Sequence, residues 1–186
     1  MEHYERSIRK KREIEKTLLA LLQQVPYAQI NVTRLADRLG ISRKNFYDYY
    51  SNMDACLHSM IDHIIMDAAI HTTTINTGAS DLFQLCIHNL EYWKKHERFL
   101  QVIDQNHLTE VLTDRYLQHL MSETRRIHRP ETADDGPEDE DILYFYANGM
   151  VKLVFRWYRR GFDTPVEEMA AKFFRIFQES RVLDNA

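Results

Sequence analysis

Apolar and polar residues follow each other along the chain with the period of an α-helix. Leu, Ile, Val and aromatic residues recur three or four positions apart, separated by charged and polar residues. In the first part of the chain this spacing predicts a helix over about Tyr4–Gln24, two short helices over Val32–Leu39 and Arg43–Tyr50, and a long helix from about Asn52 towards Thr72. The buried stripe of the first helix is expected to contain Ile8, Ile14, Leu18, Leu21 and Leu22.

The remainder of the chain continues the same pattern after two interruptions. Residues 72–80, which are rich in Thr and include a Gly, are expected to break the long helix. The acidic residues 129–141, which include Pro and Gly, are interpreted as an exposed loop. Between and after these segments the spacing predicts helices over about Ser80–His96, Arg98–Asp104, Thr109–His128, Glu138–Arg160 and Pro165–Glu179. The sequence therefore predicts an all-α fold.

Residues 31–50 combine two short helices with the capping and turn residues that such a pair requires. Asn31 and Ser42 precede the two helices, and both are good N-cap residues, because a short polar side chain can accept a hydrogen bond from a free backbone N–H group. Gly40 gives the intervening turn the conformational freedom that it needs, and Ile41 can fill the angle between the helices. This pattern is typical of a helix-turn-helix.

The first turn of the second short helix carries side chains suited to duplex DNA. Arg43 can bind guanine through two hydrogen bonds, Asn45 can do the same with adenine, and Lys44 can pair with a phosphate. In a helix-turn-helix the first turns of the second helix enter the major groove. The alternative is a plain packing element with solvated charges, and the sequence on either side argues against it.

The complete pattern resembles the DNA-binding domain of the TetR/AcrR family of transcriptional regulators. The matching positions, at unbroken spacing, are Ile30, Val32, Leu35, Ala36, Leu39, Gly40, Ile41, Ser42, Phe46, Tyr47, Tyr49 and Tyr50. The resemblance covers residues 8–60 and implies that Tyr47 touches the DNA backbone, that Thr33 adds a contact from the preceding helix, and that Tyr50 is a core aromatic. The candidate DNA-binding residues are Thr33, Ser42, Arg43, Lys44, Asn45, Tyr47 and Tyr49.

Two positions depart from the usual pattern of this family. Asn31 stands where a Thr is common, which preserves the capping chemistry. Met53 stands where the next helix usually begins with a Lys that contacts phosphate. The second change removes one expected backbone contact and leaves the mode of binding intact.

The net charge of −4 is divided unevenly along the chain. Residues 1–54 carry ten Lys and Arg against seven Asp and Glu, a net charge of +3, whereas residues 55–186 carry a net charge of −7. The positive excess therefore coincides with the helix-turn-helix. A basic cluster, Arg9–Arg12, is suited to lie along a DNA backbone, and an ordinary solvated helix start is its alternative interpretation.

The helix predicted near the end of the chain is apolar on nearly all sides. Residues 142–158 contain few charges over more than four turns, so this helix must be covered on more than one side. Few other elements remain to cover it, and the sequence therefore predicts a homodimer with a four-helix interface made by the last two helices of each copy. A monomer with a well-buried central helix is the alternative. The candidate interface residues are Tyr146, Gly149, Met150, Leu153, Trp157, Met169, Phe173 and Phe177.

Two further expectations come from the resemblance alone. Residues 144–174 resemble the end of the regulatory domain in a TetR subgroup that includes activators of dihydroxyacetone-kinase genes. The family likeness also implies that a small-molecule effector in the C-terminal body changes the separation of the two DNA-binding heads. The candidate pocket residues are His63, Tyr92, Trp93, Phe99, Tyr116 and Tyr144, and ordinary core packing is the favoured alternative for each of them. Some family members bind a protein partner instead, and that alternative stays open.

Other classes of function have little support in the sequence. No segment approaches the ~20 uninterrupted apolar residues of a membrane span, and the charged N-terminus lacks the apolar core of a secretory leader, so a cytoplasmic location is expected. Cys56 and Cys86 have no metal-type or redox-type spacing, and no set of His residues completes a metal site, so neither a metal nor a cofactor is expected. Phosphate-binding loops and nucleophile motifs are absent, which argues against an enzyme.

These observations predict two domains and one class of function. Residues 1–52 are expected to form a helix-turn-helix DNA-binding domain, and residues 53–186 a helical-bundle domain for effector binding and dimerisation. We expect a TetR-type repressor that binds a palindromic operator in double-stranded DNA as a homodimer. The alternatives are a transcriptional activator and a regulator that a protein partner controls.

Overall fold

The computed structural model describes the backbone of residues 2–74, 82–127 and 137–182, and the side chains of residues 4–72, 83–123, 140–173 and 175. Within these ranges all regular structure is helical, as the sequence predicts. The α-helices are α1 (Glu2–Leu22), α2 (Val32–Leu39), α3 (Arg43–Tyr47), α4 (Met53–Thr74), α5 (Leu82–Lys95), α6 (Glu97–Gln105), α7 (Thr109–Ile127), α8 (Pro137–Arg159) and α9 (Val166–Val182). A short 3-10 helix, Tyr27–Gln29, follows α1.

The first three helices form the head of the molecule around a small apolar core. Helix α1 packs on α2, and α2 packs on α3. The side chains of Ile14, Leu18, Leu35 and Phe46 are completely buried between them. The prediction that Ile8 is buried is wrong, since 43% of it is exposed. The first buried residue of α1 is Ile14, so the turns before it extend past the helices that cover the rest of α1.

Helix α3 ends three residues earlier than predicted. The backbone N–H groups of Tyr49 and Tyr50 both donate to the carbonyl of Phe46, which forms a turn in place of a further helical turn. Tyr50 nevertheless lies in the core, as the family resemblance implies. Helix α3 is therefore a short rod, held at its centre by Phe46 and at its exit by Tyr50.

Helix α4 connects the head to the remaining helices, which form the body. Its 22 residues correspond to about 33 Å at 1.5 Å per residue. It packs on α1 of the head and on α5 and α7 of the body, so both parts share it. A second link runs through Asn106 at the end of α6, whose side-chain oxygen accepts a hydrogen bond of 2.7 Å from the backbone N–H of Tyr27.

The body is a bundle of helices around aromatic side chains. Helix α8 packs on α7, and α9 packs on α5. Trp157 closes the turn between α8 and α9, because its ring nitrogen donates a bond of 2.9 Å to the carbonyl of Thr164 and its ring meets Phe162 edge to face at 4.8 Å. The chain reverses there through Gly161 and Phe162, whose φ values are +65° and +55°.

The two interruptions predicted from the sequence are only partly described. Helix α4 continues to Thr74, beyond the expected break at residue 72, and residues 75–81 lie outside the described ranges. The interpretation of residues 129–141 as a loop is wrong from Pro137 onwards, where α8 has begun. Proline at a first helical position followed by acidic residues is a favourable helix start. Within the described residues, no helix combines the length and the apolar character needed to cross a bilayer.

Candidate nucleic-acid interface and regulatory body

The side chains predicted to cap the helix-turn-helix do so. The side-chain oxygen of Asn31 accepts a hydrogen bond of 2.9 Å from the backbone N–H of Arg34, and Ser42 accepts one of 3.1 Å from Asn45. Gly40 ends α2 with a φ of +69°, in the left-handed region that favours glycine. The local chemistry of these residues thus fixes where α2 and α3 begin and how they are joined.

The buried ring of Phe46 determines which side of α3 faces solvent. At about 100° per residue, Lys44 lies opposite Phe46, while Arg43 and Tyr47 lie together on one flank. Arg43 and Lys44 are exposed, and Tyr47 is 48% exposed, with its ring edge to face against Phe46 at 5.5 Å. These three side chains therefore form a solvent-facing surface on a helix whose orientation the core fixes.

The other candidate DNA-binding residues surround this surface at different depths. Ser42 and Thr33 are exposed, Tyr49 is half-buried against the core, and Asn45 is half-buried with its amide 3.5 Å from the carboxylate of Asp48. Met53, at the family's usual Lys position, also packs partly against the core.

The basic cluster on α1 is largely engaged within the protein. Lys10 pairs with Glu13 at 2.9 Å, and this hydrogen bond holds the pKa of Glu13 below its ordinary value. The ammonium group of Lys11 lies over the ring of Tyr50, 5.5 Å from its centre, and Arg12 is 3.9 Å from Asp67 of α4. The contacts of Lys11 and Arg12 attach α1 to its neighbours, whereas the Lys10–Glu13 pair lies within α1.

A small apolar cavity lies between the helices of the body. Its volume is about 20 Å³, which is enough for one water-sized molecule. The cavity is lined by Asn89, Trp93, Leu100, Leu112, Tyr116, Met150, Val151, Val154 and Phe155. The buried side-chain oxygen of Asn89 has no hydrogen-bond partner among the described residues. Burial raises the pKa of Tyr116 to about 12, so its hydroxyl keeps its proton at neutral pH.

Two of the six predicted pocket residues, Trp93 and Tyr116, line this cavity. Tyr92 and Phe99 are buried outside it: Tyr92 stacks on His96 at 3.9 Å, and Phe99 stacks on Trp93 at 6.3 Å.

The other two predicted pocket residues, His63 and Tyr144, do not line this cavity, and their part in ligand binding stays a prediction. His63 lies 2.6 Å from the carboxyl group of Glu15, beside the head rather than in the bundle. Tyr144 is 58% exposed near the start of α8. Residue type suggests a pocket wall in both cases, but it does not say where along a helix neighbouring elements cover a side chain.

A groove of about 180 Å³ runs between α8 and α9. Its lining residues are Leu153, Arg156, Trp157, Arg160, Thr164, Met169, Lys172 and Phe173. Four of the predicted interface residues are in this set. Trp157, Met169 and Phe173 are nevertheless buried within a single copy of the chain, so they form the floor of the groove rather than a free surface. Their assignment to an interface between two copies stays a prediction.

The remaining interface candidates lie on α8 or outside the described side chains. Tyr146, Gly149 and Met150 are half-buried, and a Cβ atom added at Gly149 would meet nothing within 4 Å. Phe177 lies outside the described side chains. Two exposed apolar residues of α8, Ile142 and Phe145, were missed as candidates, although helical spacing places them on the face that Gly149 occupies.

Neither thiol is poised for chemistry. Burial raises the pKa of Cys56 to about 12, with a further contribution from Glu15, and burial also raises the pKa of Cys86. Among the described residues no three His, Cys, Asp or Glu side chains come together as they would around a metal ion.

Two family models match the chain. The model described as bacterial regulatory proteins of the tetR family matches residues 15–60, and the one described as a transcriptional regulator C-terminal region matches residues 80–179. The second match alone spans more than half of the chain. The chain belongs to the TetR family of transcriptional regulators. The members of this family are DNA-binding regulators and not enzymes, which confirms the class expected from the helix-turn-helix.

Solved structures with the same fold include other regulators. The fatty acid degradation regulator FadR from Bacillus halodurans is 15% identical, with a TM-score of 0.56 over 88% of this chain and 91% of that one. The TetR family repressor AlkX from Dietzia sp. strain DQ12-45-1b is 11% identical, with a TM-score of 0.54 over 89% and 91%. The dihydroxyacetone kinase operon activator DhaS is 20% identical, with a TM-score of 0.50 over 91% and 94%. At these identities the likeness establishes the fold. No curated protein sequence matches the chain.

Proposed function

We propose that this regulator is a cytoplasmic repressor that acts as a homodimer and inserts α3 of each copy into successive major grooves of a palindromic operator. The observation that carries the proposal is the exposed surface of Arg43, Lys44 and Tyr47 on a helix anchored by Phe46. Arg suits base edges, Lys suits phosphate, and a two-fold dimer reads inverted half-sites about one helical turn or slightly more apart. Residues 1–52 make up the DNA-binding domain in this proposal, and residues 53–186 the regulatory domain.

The proposal is tested by gel shift and footprinting on the DNA upstream of the chain's own gene. Arg43→Ala should cost about 1–3 kcal/mol on the operator and relax the preference at particular bases. Lys44→Ala should weaken binding to operator and random duplex by the same factor, because a phosphate contact carries no sequence information. Arg98→Ala and Lys95→Ala, at exposed positions of the body, are the matched controls and should bind as the unaltered protein does.

Equal losses for Arg43→Ala and Lys44→Ala on operator and random DNA would contradict the assignment of a base contact to Arg43. Failure of the unaltered protein to bind any fragment in dilute buffer would contradict the proposed operator binding itself.

Dimerisation is supported by the groove between α8 and α9 and by the distribution of charge along α8. Arg156 and Arg160, near the end of α8, line the groove, and Lys172 of α9 joins them. The opposite end of α8 carries the exposed acidic residues Glu140 and Asp141. A two-fold axis perpendicular to α8 would pair this helix with an antiparallel copy, so that the basic end of each lies near the acidic end of the other.

Control by an apolar or aromatic small molecule is supported by the cavity between α5, α6, α7 and α8. Most of its lining residues are apolar, and the side-chain oxygen of Asn89, which has no hydrogen-bond partner among the described residues, favours a ligand that carries one hydrogen-bond donor. A volume of about 20 Å³ requires the helices to separate when such a ligand enters. The cavity would thus be larger in the ligand-bound state, and ligands would be found by their release of operator DNA.

A protein partner is the alternative effector, and one observation favours it. Ile142, Tyr144 and Phe145 are each more than half exposed at the start of α8, and contiguous apolar surface of this kind often marks a contact site.

Whether the protein represses or activates transcription is a separate question. One fold relative is named a repressor and another an operon activator, so activation is the alternative to repression.

A further inference from the structure

A buried carboxyl group joins the head to α4. Glu15 of α1 is only 3% exposed, although the charged residues nearest to it in the sequence, Glu13 and Lys16, are exposed. Its Oε1 atom accepts a hydrogen bond of 2.6 Å from the hydroxyl of Tyr50 and one of 2.8 Å from the hydroxyl of Ser59. Its Oε2 atom lies 2.6 Å from Nδ1 of His63. Burial and the bond to Glu15 raise the pKa of Tyr50, so its hydroxyl keeps the proton that it donates.

The three partners of Glu15 belong to two different elements. Tyr50 ends the turn that leaves α3, so its position follows that of the DNA-reading helix. Ser59 and His63 are one helical turn apart on α4 and lie on one face of it. Glu15 itself belongs to α1. A single carboxyl group therefore bonds to α4 and to the exit of α3 at the same time.

Helix α4 also forms hydrogen bonds with the body. Asp62, next to His63, accepts a hydrogen bond of 2.6 Å from Nε of Arg115 on α7. The hydroxyl of Tyr92 on α5 donates to the carbonyl of Ile64. The stretch of α4 from residue 59 to residue 64 is thus bonded to the head on one side and to the body on the other.

Hydrogen bonds at this position can fix the relative orientation of the helices, which apolar packing alone would not do. A buried carboxyl group is costly unless hydrogen bonds satisfy it, and here both oxygens are engaged. Apolar side chains could hold α1 against α4 with some freedom to slide or rotate, since hydrophobic attraction has no direction. Hydrogen bonds weaken steeply when their angles change, so those to Glu15 define one relative orientation of α1, α3 and α4.

We propose that Glu15 is a positioning residue that fixes the angle of the DNA-reading head on α4 and thereby sets which spacing of operator half-sites the dimer accepts. The proposal rests on the proposed function, because it needs a dimer that reads two half-sites. Each added base pair moves the second half-site by about 3.4 Å along the axis and rotates it by about 34°. If the connection between the head and α4 is rigid, the dimer tolerates such a change in spacing poorly. If the connection is loosened, the dimer tolerates the change well.

The test measures binding to a series of operators in which the spacer is shortened or lengthened one base pair at a time. The unaltered protein should favour one spacing, with affinity falling by about tenfold or more on its neighbours, because the second head is then misplaced by a whole base pair. Glu15→Ala should flatten this profile to within about threefold across neighbouring spacings, while the base preference within each half-site stays unchanged.

The matched control is Glu13→Ala, two residues earlier on the same helix, where the carboxylate is exposed and pairs only locally with Lys10. It removes the same charge and should keep the spacing profile of the unaltered protein. Tyr50→Phe is the second test variant. It removes one hydroxyl, keeps the ring that packs on Phe46 at 5.9 Å, and should broaden the profile partially even if Glu15→Ala fails to fold.

The outcomes separate the two proposals. A uniform loss of affinity at every spacing, with the profile unchanged in both Glu15→Ala and Tyr50→Phe, would mean that the cluster contributes only to folding, and would overturn the positioning role while operator binding stands. A protein that binds no DNA, or that binds as a single subunit, would overturn both. A spacing profile that broadens in these two variants and not in Glu13→Ala supports the proposal that Glu15 positions the head on α4.

Discussion

Cys56, on α4 beside Glu15 of the head, has a thiol that is shielded from reaction with solutes. It is fully buried on α4, and burial together with the nearby carboxyl group of Glu15 raises the pKa of its thiol to about 12. The reactive form of cysteine is the thiolate, so a raised pKa lowers its population at every pH below that value. Cys56 is therefore a packing residue, and oxidation is not a means by which the head would sense its surroundings.

Thiol labelling checks this conclusion. In Cys86→Ser, which leaves Cys56 as the single thiol, labelling at pH 8 should be slower by about a hundredfold or more than that of a model thiol of pKa 8.5, and should quicken as the pH rises. Urea should abolish the difference, because the pKa returns to its ordinary value when the chain unfolds. Rapid labelling of the folded protein at pH 8 would show that Cys56 is exposed or ionised.

At the scale of elements, the side chain of Asn106 at the end of α6 holds the end of α1 through a set of hydrogen bonds that we call the bracket. The amide of Asn106 donates to the carbonyls of Leu22 and Val102 at 3.2 and 2.8 Å, while its oxygen accepts from the backbone N–H of Tyr27. Both Leu22 and Tyr27 belong to the head, 84 and 79 residues away in sequence. The bracket satisfies backbone groups that the end of a helix would otherwise leave without partners.

We expect Asn106→Leu, which keeps the volume and removes the polar atoms, to lower the free energy of unfolding by about 1–3 kcal/mol, because a donor and an acceptor of the backbone lose their partner. Urea denaturation measures this change, and hydrogen exchange at the Tyr27 amide should quicken. Gln105→Leu, at the exposed neighbouring position, is the control and should change stability by less than about 0.5 kcal/mol. A similar effect in both variants would show that the bracket contributes nothing specific.

At the scale of the whole molecule, the groove between α8 and α9 is where the proposed second copy would lie. Leu153 lines it and is half-buried, so its side chain can be changed without opening the core of the body. The floor of the groove is supplied by Trp157, whose bond to Thr164 holds the two helices together within one copy. The groove is thus a stable feature of a single chain.

Leu153→Glu should dissociate the proposed dimer, since it replaces an apolar side chain of the groove with a carboxylate that must lose its water when the partner docks. Sedimentation should show a mass near twice 22.2 kDa for the unaltered protein and one copy for the variant, and operator affinity should fall by a factor of about a hundred or more as the second half-site is lost. Met66→Glu, at an exposed apolar position of α4, should stay dimeric. A dimeric Leu153→Glu protein would place the interface elsewhere.

Local chemistry explains which parts of the structure were predictable from the sequence. The caps by Asn31 and Ser42 and the turn at Gly40 depend on residues within four positions of one another, so spacing alone predicts them. The roles of Glu15 and His63 depend on partners that are 35 to 48 residues away in sequence. The periodicity of apolar residues does not predict which distant side chains come into contact.

The same reasoning applies to the predicted sites. Their residue types were read from composition, but whether a side chain faces a cavity, a groove or solvent depends on how helices pack. Trp157 is predicted to lie at an interface because α8 is apolar on most sides, and the structure adds that its own chain already buries it. Tyr144 is predicted to line a pocket, and it is exposed near the start of α8, although Ala147 and Val151 at helical spacing from it are buried.

The location of the two tryptophans has a practical consequence. Both belong to the body: Trp93 borders the cavity, and Trp157 lies under the groove beside it. The indole fluorescence of this chain therefore reports on the body, and α1, α2 and α3 contribute no indole emission. A change in indole emission on adding a compound would come from the bundle. A change on adding DNA would mean that binding at the grooves of the duplex had altered the structure of the body, some tens of ångströms away.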